Sequence, residues 1–182
     1  INVYDYDGSS WTLRANSDTK ISNNNVSIIK KGRKVVISND GNRLIMSNRY
    51  DDNSGNNSGS VYTYEWNGSD WVQVATRLDG DAASDSFGES ISLSDDGNRL
   101  IVGANLNDSN ASNAGQAKVY QYINNDWSQI GTSILGDSNN NQLGVAVAIS
   151  GNGNNFVIKD HQKVALEKWQ ENNYVGIFEL AT

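Results

Sequence analysis

The 182-residue sequence contains no proline, no cysteine and a single histidine, His161. Without cysteine the chain has no disulfide, no thiolate metal site and no cysteine nucleophile. A single histidine argues against histidine-based metal centres and against catalysis that needs several histidines. From these absences we expect no cofactor.

The sequence also lacks an excess of positive charge and any long apolar run. Its formal net charge is -7, so its surface repels phosphate backbones and we predict no nucleic-acid partner. No apolar run approaches the roughly 20 residues needed to cross a bilayer, so membrane insertion is not expected. The first residue is isoleucine, and we expect the chain to be processed or part of a longer protein.

The sequence repeats itself. Three segments align without a gap, and their aligned glycines are Gly32, Gly88 and Gly144, so both steps are 56 residues. Each is accompanied by a Val-Tyr-x-Tyr strand and a following tryptophan, at residues 3–11, 61–71 and 119–127. A degenerate fourth copy of this strand and its following aromatic residue lies at residues 163–174. This regularity indicates a repeat protein.

Each repeat contains four strand signals separated by turn residues. In the middle copy, Ile91 and Leu93 alternate with serines, which is typical of a half-buried strand. A tight turn at residues 95–98 leads to an apolar strand, and a hairpin follows around Asn124-Asn125. Four short antiparallel strands per repeat are typical of a propeller blade. We therefore predict an all-β fold, a β-propeller of four-stranded antiparallel blades.

Strand counting predicts about three and a half blades in one repeat domain that spans residues 1–182. The predicted units are the outer strands of a partial blade at 1–18 and blades at 26–78, 87–134 and 143–180. A closed propeller usually needs at least four blades. We expect either a fragment of a longer propeller or a homodimer of half-propellers, with an open stack as the third alternative.

Two short motifs connect the repeat to a known family. Phe87-Gly88 and Gly103-Ala104-Asn105 resemble the FG and GAP elements of the FG-GAP repeats in integrin-α-type β-propellers. This resemblance implies an extracellular or cell-surface propeller concerned with adhesion or ligand binding. Family blades often bind calcium in a hairpin loop, but the corresponding turn at residues 94–98 offers too few oxygen ligands. We therefore predict no metal site.

The sequence offers no clear catalytic constellation. His161 lies in a polar loop and is interpreted as a surface residue. Two carboxylate pairs, Asp79 with Asp81 and Asp85 with Glu89, have the chemistry for acid–base work. Acidic loops on a β-protein are more often solvated surface, and the sequence is interpreted as that of a non-enzyme.

Positive charge is concentrated at Lys30, Lys31, Arg33 and Lys34. This basic cluster is either a site for a charged partner or a device that protects a strand edge. We favour edge protection.

The leading functional prediction is a non-catalytic extracellular or surface propeller that serves protein binding, adhesion or assembly, through polar loops on one face. The first alternative is a lectin-like propeller whose aromatic side chains stack on a glycan. The second is a structural half-propeller that homodimerises into a seven-bladed ring. The candidate ligand-binding residues are Asp51, Asp52, Asn105, Asn107, Asp108, Trp66 and Trp169.

Overall fold

The computed structural model describes residues 2–14, 34–161, 163–170 and 173–181. These residues form strands and no helix, which confirms the predicted all-β class. The strands of the first half are β1 (Tyr4–Tyr6), β2 (Trp11–Leu13), β3 (Lys34–Ile37), β4 (Arg43–Asn48), β5 (Ser60–Trp66), β6 (Trp71–Asp79) and β7 (Phe87–Leu93). Those of the second half are β8 (Arg99–Ala104), β9 (Gln116–Ile123), β10 (Asp126–Leu135), β11 (Ala146–Ile149), β12 (Asn155–Lys159), β13 (Lys163–Gln170) and β14 (Asn173–Ala181).

Twelve of these strands form three antiparallel sheets of four strands each. Sheet I contains β3 to β6, sheet II contains β7 to β10 and sheet III contains β11 to β14, each with its strands side by side in chain order. The remaining two strands, β1 and β2, form a separate two-stranded unit, here called the leading hairpin. The prediction of four-stranded antiparallel sheets is therefore confirmed.

The turns follow from local sequence. Asn124 and Asn125 both have positive φ, 54° and 63°, as a two-residue hairpin turn between β9 and β10 requires. Between β7 and β8, Ser94 Oγ donates to Asp96 Oδ1 at 2.6 Å, and the same oxygen accepts from Asn98 N at 3.0 Å. This side-chain mimic of a turn explains why the Asp-Gly-Asn signal was readable from sequence.

The sheets pack face to face in chain order. Strand β7 lies against β3 and β4 of sheet I, and β11 lies against β7 and β8 of sheet II. Strand β10 lies against β6 on one side and β14 on the other. The first strands of neighbouring sheets therefore lie against each other, and so do their last strands. We call the contact between sheets I and II the first seam and that between sheets II and III the second seam.

Strand β8 of sheet II is buried on both faces. Leu100 and Val102 belong to a cluster with Ile45 of sheet I, whereas Ile101 belongs to a cluster with Phe156 of sheet III. All three β8 side chains are fully buried. Successive side chains of a strand point to opposite faces, so a continuous apolar run is what a doubly covered strand requires.

Arginines recur at the turn end of both seams. Arg43 Nη1 donates to the carbonyl oxygen of Gly97 across the first seam at 2.6 Å. Arg99 Nη1 donates to the carbonyl oxygen of Gly153 across the second seam at 3.1 Å. Each arginine begins the second strand of its sheet, so each of these repeats supplies a hydrogen bond to the next sheet.

Candidate functional site

Two of the sequence-predicted binding residues, Asp52 and Asp108, lie in loops of the same design. Asp52 Oδ1 accepts from Asn57 N at 2.8 Å, and Asp108 Oδ1 accepts from Asn113 N at 2.6 Å. Asp51 Oδ2 accepts from the Tyr62 hydroxyl at 2.6 Å. These carboxylates hold their own loops together.

The remaining candidates have mixed surroundings. Asn107 is buried and donates from Nδ2 to Asp85 Oδ2 at 2.9 Å. Asn105 is buried, and its Oδ1 has no hydrogen-bond partner within the described part of the chain. The half-buried Trp66 ring lies 5.7 Å from that of Trp71, while the side chain of Trp169 is outside the described residues. A ligand-binding role for these residues stays a prediction.

Asp85 is a buried carboxylate rather than the solvated one that the sequence suggested. It is 3% exposed and accepts from Ala82 N and from Asn107 Nδ2, both at 2.9 Å. Burial raises the pKa of Asp85, and these hydrogen bonds only partly oppose that effect. In the predicted pair of Asp85 and Glu89, Asp85 is therefore buried, whereas Glu89 is half-buried.

We expect Asp85→Asn to gain stability relative to the wild type as the pH rises. With its folded pKa raised, native Asp85 holds its proton more tightly than in the unfolded chain. The wild type therefore loses stability as the pH rises from the ordinary aspartate range through the raised value, and the variant does not. Asn141 occupies the aligned position one repeat later, so an amide suits this loop. Urea unfolding of both proteins between about pH 3 and about pH 7 measures the difference. A difference that is constant or shrinks with pH contradicts the raised pKa.

A pocket of about 280 Å³ opens at the first seam and is lined by Lys34, Arg49, Gly88 and Glu89. Lys34 begins β3, Arg49 directly follows β4, and Gly88 and Glu89 lie near the start of β7. Because β3 and β4 are antiparallel, the start of β3 lies beside the end of β4. The fold thereby gathers two cations and one carboxylate from three strands.

Arg49 is the best-anchored side chain of this pocket. Its Nη1 donates to Glu89 Oε2 at 2.6 Å, its Nη2 donates to the Tyr50 hydroxyl, and its guanidinium carbon lies 4.5 Å from the Tyr50 ring centroid. The contact with the Tyr50 hydroxyl raises the pKa of Arg49, so the guanidinium remains charged. Arg49 Nε is buried and has no hydrogen-bond partner among the residues that the structure describes. A fixed cation and a carboxylate thus stand side by side in a concave site.

The second seam shows that sheet packing does not need these charges. One repeat after Lys34, Arg49 and Glu89, the aligned residues are Ser90, Asn105 and Val145, all of them neutral. Gly88 is matched by Gly144. The same sheet-to-sheet contact is therefore made without an ion pair, and the charges of the first seam are an addition to it.

Sequence reasoning named Glu89 only as a partner of Asp85, and it overlooked Arg49. The signal that would have identified both is that charged residues at these two positions are replaced by neutral residues one repeat later.

Lys34 is the member of the predicted basic cluster that the structure places at this pocket. Lys30, Lys31 and Arg33 lie outside the described residues. Over the described part of the chain, no three His, Cys, Asp or Glu side chains are grouped as metal ligands would be. In the same ranges, no helix has the length and apolar character needed to cross a membrane.

Comparison with known proteins finds an FG-GAP repeat within the chain. The family model described as FG-GAP repeat matches residues 71–120. This segment includes Phe87-Gly88 and Gly103-Ala104, the motifs on which the resemblance rested. The chain thus carries an FG-GAP repeat, as its sequence indicated. A search of curated proteins found no significant match.

Solved structures share the fold at low sequence identity. Two crystal structures, each described as a putative 6-phosphogluconolactonase, come from Bacteroides fragilis and Bacteroides uniformis. Each matches with a TM-score of 0.60 and 14% identity over 83% of this chain. The chain spans 39% and 40% of those two proteins, about two fifths of their length.

These matches contradict the functional prediction. The chain was predicted to be a non-enzyme serving binding, adhesion or assembly, with a lectin and a half-propeller homodimer as alternatives. Two proteins of the same fold are instead described as putative 6-phosphogluconolactonases. The error has a physical reason, since repeat patterns report how sheets pack and not which chemistry a scaffold carries. The predicted extracellular or surface location and the predicted protein or glycan ligand stay untested.

Proposed function

We propose that this chain is part of a β-propeller that hydrolyses sugar lactones, with its site at the first-seam pocket. The propeller is proposed to use the 56-residue repeat, with about three and a half blades in residues 1–182. Face-to-face stacking of sheets I to III in chain order supports this arrangement. The observation that carries the proposal is the Arg49–Glu89 ion pair, which lines a concave site and is absent from the aligned positions of the second seam.

The two side chains supply complementary chemistry for lactone opening. Glu89 accepts a proton from a water molecule while the oxygen of that water bonds to the lactone carbonyl carbon. Arg49 donates hydrogen bonds to the carbonyl oxygen as that oxygen becomes negative. The ring C–O bond then breaks, and the proton held by Glu89 passes to the ring oxygen, which leaves as a hydroxyl. Atoms and charge balance with water as the only co-reactant, and the product is a sugar acid.

The pocket dimensions favour a small substrate. Its volume of about 280 Å³ lies close to the lower limit of about 300 Å³ for small-molecule sites. Lys34 adds a second cation beside Arg49. A single sugar ring that yields or carries an anionic group therefore suits the pocket better than an oligosaccharide.

Direct measurement of lactone hydrolysis tests the proposal. We expect the chain to accelerate the opening of glucono-δ-lactone, or of its 6-phosphate, above the spontaneous rate, with saturation by substrate. Proton release at constant pH provides the readout, with buffer and heat-denatured protein as the blanks. A folded sample that opens both lactones at the spontaneous rate would contradict the proposal.

A further inference from the structure

We propose that the leading hairpin is the outer half of another four-stranded sheet, and that its inner half is a β-hairpin supplied from outside residues 1–182. The occupant is the inner hairpin of a further FG-GAP repeat, equivalent to β3–β4 or β7–β8. This inference does not depend on the lactonase proposal.

The leading hairpin corresponds to β5–β6 of sheet I and to β9–β10 of sheet II. It carries the same Val-Tyr-x-Tyr strand and following tryptophan. Its Tyr6 pairs with Trp11 with ring centroids 5.1 Å apart, as Tyr122 pairs with Trp127 at 5.1 Å. The leading hairpin is therefore an outer strand pair by sequence and by aromatic geometry.

The leading hairpin contacts sheet I through Val3, which packs against the sheet I cluster that contains Leu44 and Met46. The aligned valine of β5, Val61, belongs to the cluster at the first seam that also contains Leu100 and Val102 of sheet II. The two valines thus make comparable contacts, each with the sheet that follows in the chain.

One edge of β1 lacks the neighbour that its equivalents have. Strand β5 pairs with β4 on one side and β6 on the other, and β9 pairs likewise with β8 and β10. Among the described strands, β1 pairs with β2 alone. Its other edge presents backbone donors and acceptors that can accept another strand.

Two apolar side chains of strand β3 are exposed. Val35 and Ile37 are 53% and 44% exposed. At the aligned positions of β7, Ile91 is 8% exposed and Leu93 is partly buried, packed in the cluster that includes Ile45 of β4. An inner strand placed beside β1 would cover β3 as β4 covers β7. One hairpin thus accounts for both the free edge and the exposed apolar pair.

The turn of sheet I provides a polar contact for such a hairpin. At both seams the arginine that begins the second inner strand donates to a glycine carbonyl of the next turn. The corresponding carbonyl of sheet I, that of Gly41, accepts from Arg14 of the leading hairpin instead. An arginine on the incoming hairpin would take over this contact.

A second copy of this chain does not provide the occupant. In the described residues the three inner hairpins, β3–β4, β7–β8 and β11–β12, are each bonded to their own outer strands. Taking one of them would open the sheet that it belongs to. The structures that share the fold have chains about twice as long, since the matched 83% of this chain covers only 39% of one of them, which leaves room for further repeats.

Hydrogen exchange with an added hairpin peptide tests this inference. The probe is a synthetic peptide with the sequence of residues 87–104, added to the intact chain. We expect saturable binding that slows amide exchange at least tenfold in β1 and β3 and leaves β9 and β10 unchanged. A control peptide with serine in place of its apolar residues should not bind.

The variant Val35→Ser separates docking from folding. Val35 is exposed in the free chain, so its replacement should leave the urea midpoint nearly unchanged. It should weaken peptide binding at least tenfold. Three results would overturn the inference: no protection of β1 at saturating peptide, equal binding by the variant, or a homodimer in which β1 and β3 are protected without peptide.

Discussion

Replacement of Glu89 by glutamine is expected to lower kcat for lactone hydrolysis by about 10²- to 10⁴-fold, the contribution typical of a general base. Glutamine keeps the shape of the side chain and can still accept a hydrogen bond from Arg49, but it cannot take a proton from water. KM should change little, because the substrate is positioned mainly by the cations. Steady-state hydrolysis rates across a range of lactone concentrations provide the measurement.

Glu65→Gln is the matched control for this prediction. Glu65 accepts from Arg43 Nη2 at 2.6 Å, the same distance that joins Arg49 Nη1 to Glu89 Oε2, but it does not line the first-seam pocket. The control variant should retain hydrolysis within about twofold, since a surface ion pair contributes only about 1 kcal/mol or less to stability. Equal losses in both variants would mean that the charge acts through folding, and the assignment of Glu89 would then fail.

Replacement of Gly115 by alanine is expected to reduce the free energy of unfolding by about 2–4 kcal/mol. Gly115 has φ +87°, and a Cβ there would lie 2.3 Å from both the backbone nitrogen and the carbonyl oxygen of Leu143 across the second seam. The positive φ costs about 1 kcal/mol for alanine, and the overlap with immobile backbone adds about 1–3 kcal/mol. Urea unfolding followed by tryptophan fluorescence measures the loss.

Gly68→Ala separates the two contributions. Gly68 has a similar φ of +99°, but no atom lies within 4 Å of a Cβ placed there. Its replacement should cost only the backbone term, about 1 kcal/mol. If Gly115→Ala were no worse than Gly68→Ala, the close approach of sheets II and III would be wrong.

Much of the fold could be predicted because the same strand and turn signals recur in each repeat. The apolar residues after the turn at 95–98 predict a strand, and the Asn124-Asn125 pair predicts a tight hairpin turn. The structure confirms both, with β8 at Arg99–Ala104 and both asparagines at positive φ. These features depend on neighbours within one repeat, which is the range that sequence patterns describe.

The candidate site could not be predicted in the same way. Arg49 and Glu89 are 40 residues apart and meet only because sheet I packs on sheet II. Asp85 is an acidic loop residue by sequence, yet Asn107 and the Ala82 amide bind it in a buried position. Such contacts between sheets are set by packing, and strand alternation does not encode them.

If the first-seam pocket is the functional site, the reaction product should bind there and not at the second seam. Titration of the isotope-labelled chain with gluconate and 6-phosphogluconate, followed through backbone amide signals, compares the two seams in one experiment. We expect saturable shifts at Arg49, Gly88 and Glu89, with the aligned Asn105, Gly144 and Val145 of the second seam unaffected. Equal shifts at both seams, or shifts confined to another surface, would contradict this expectation.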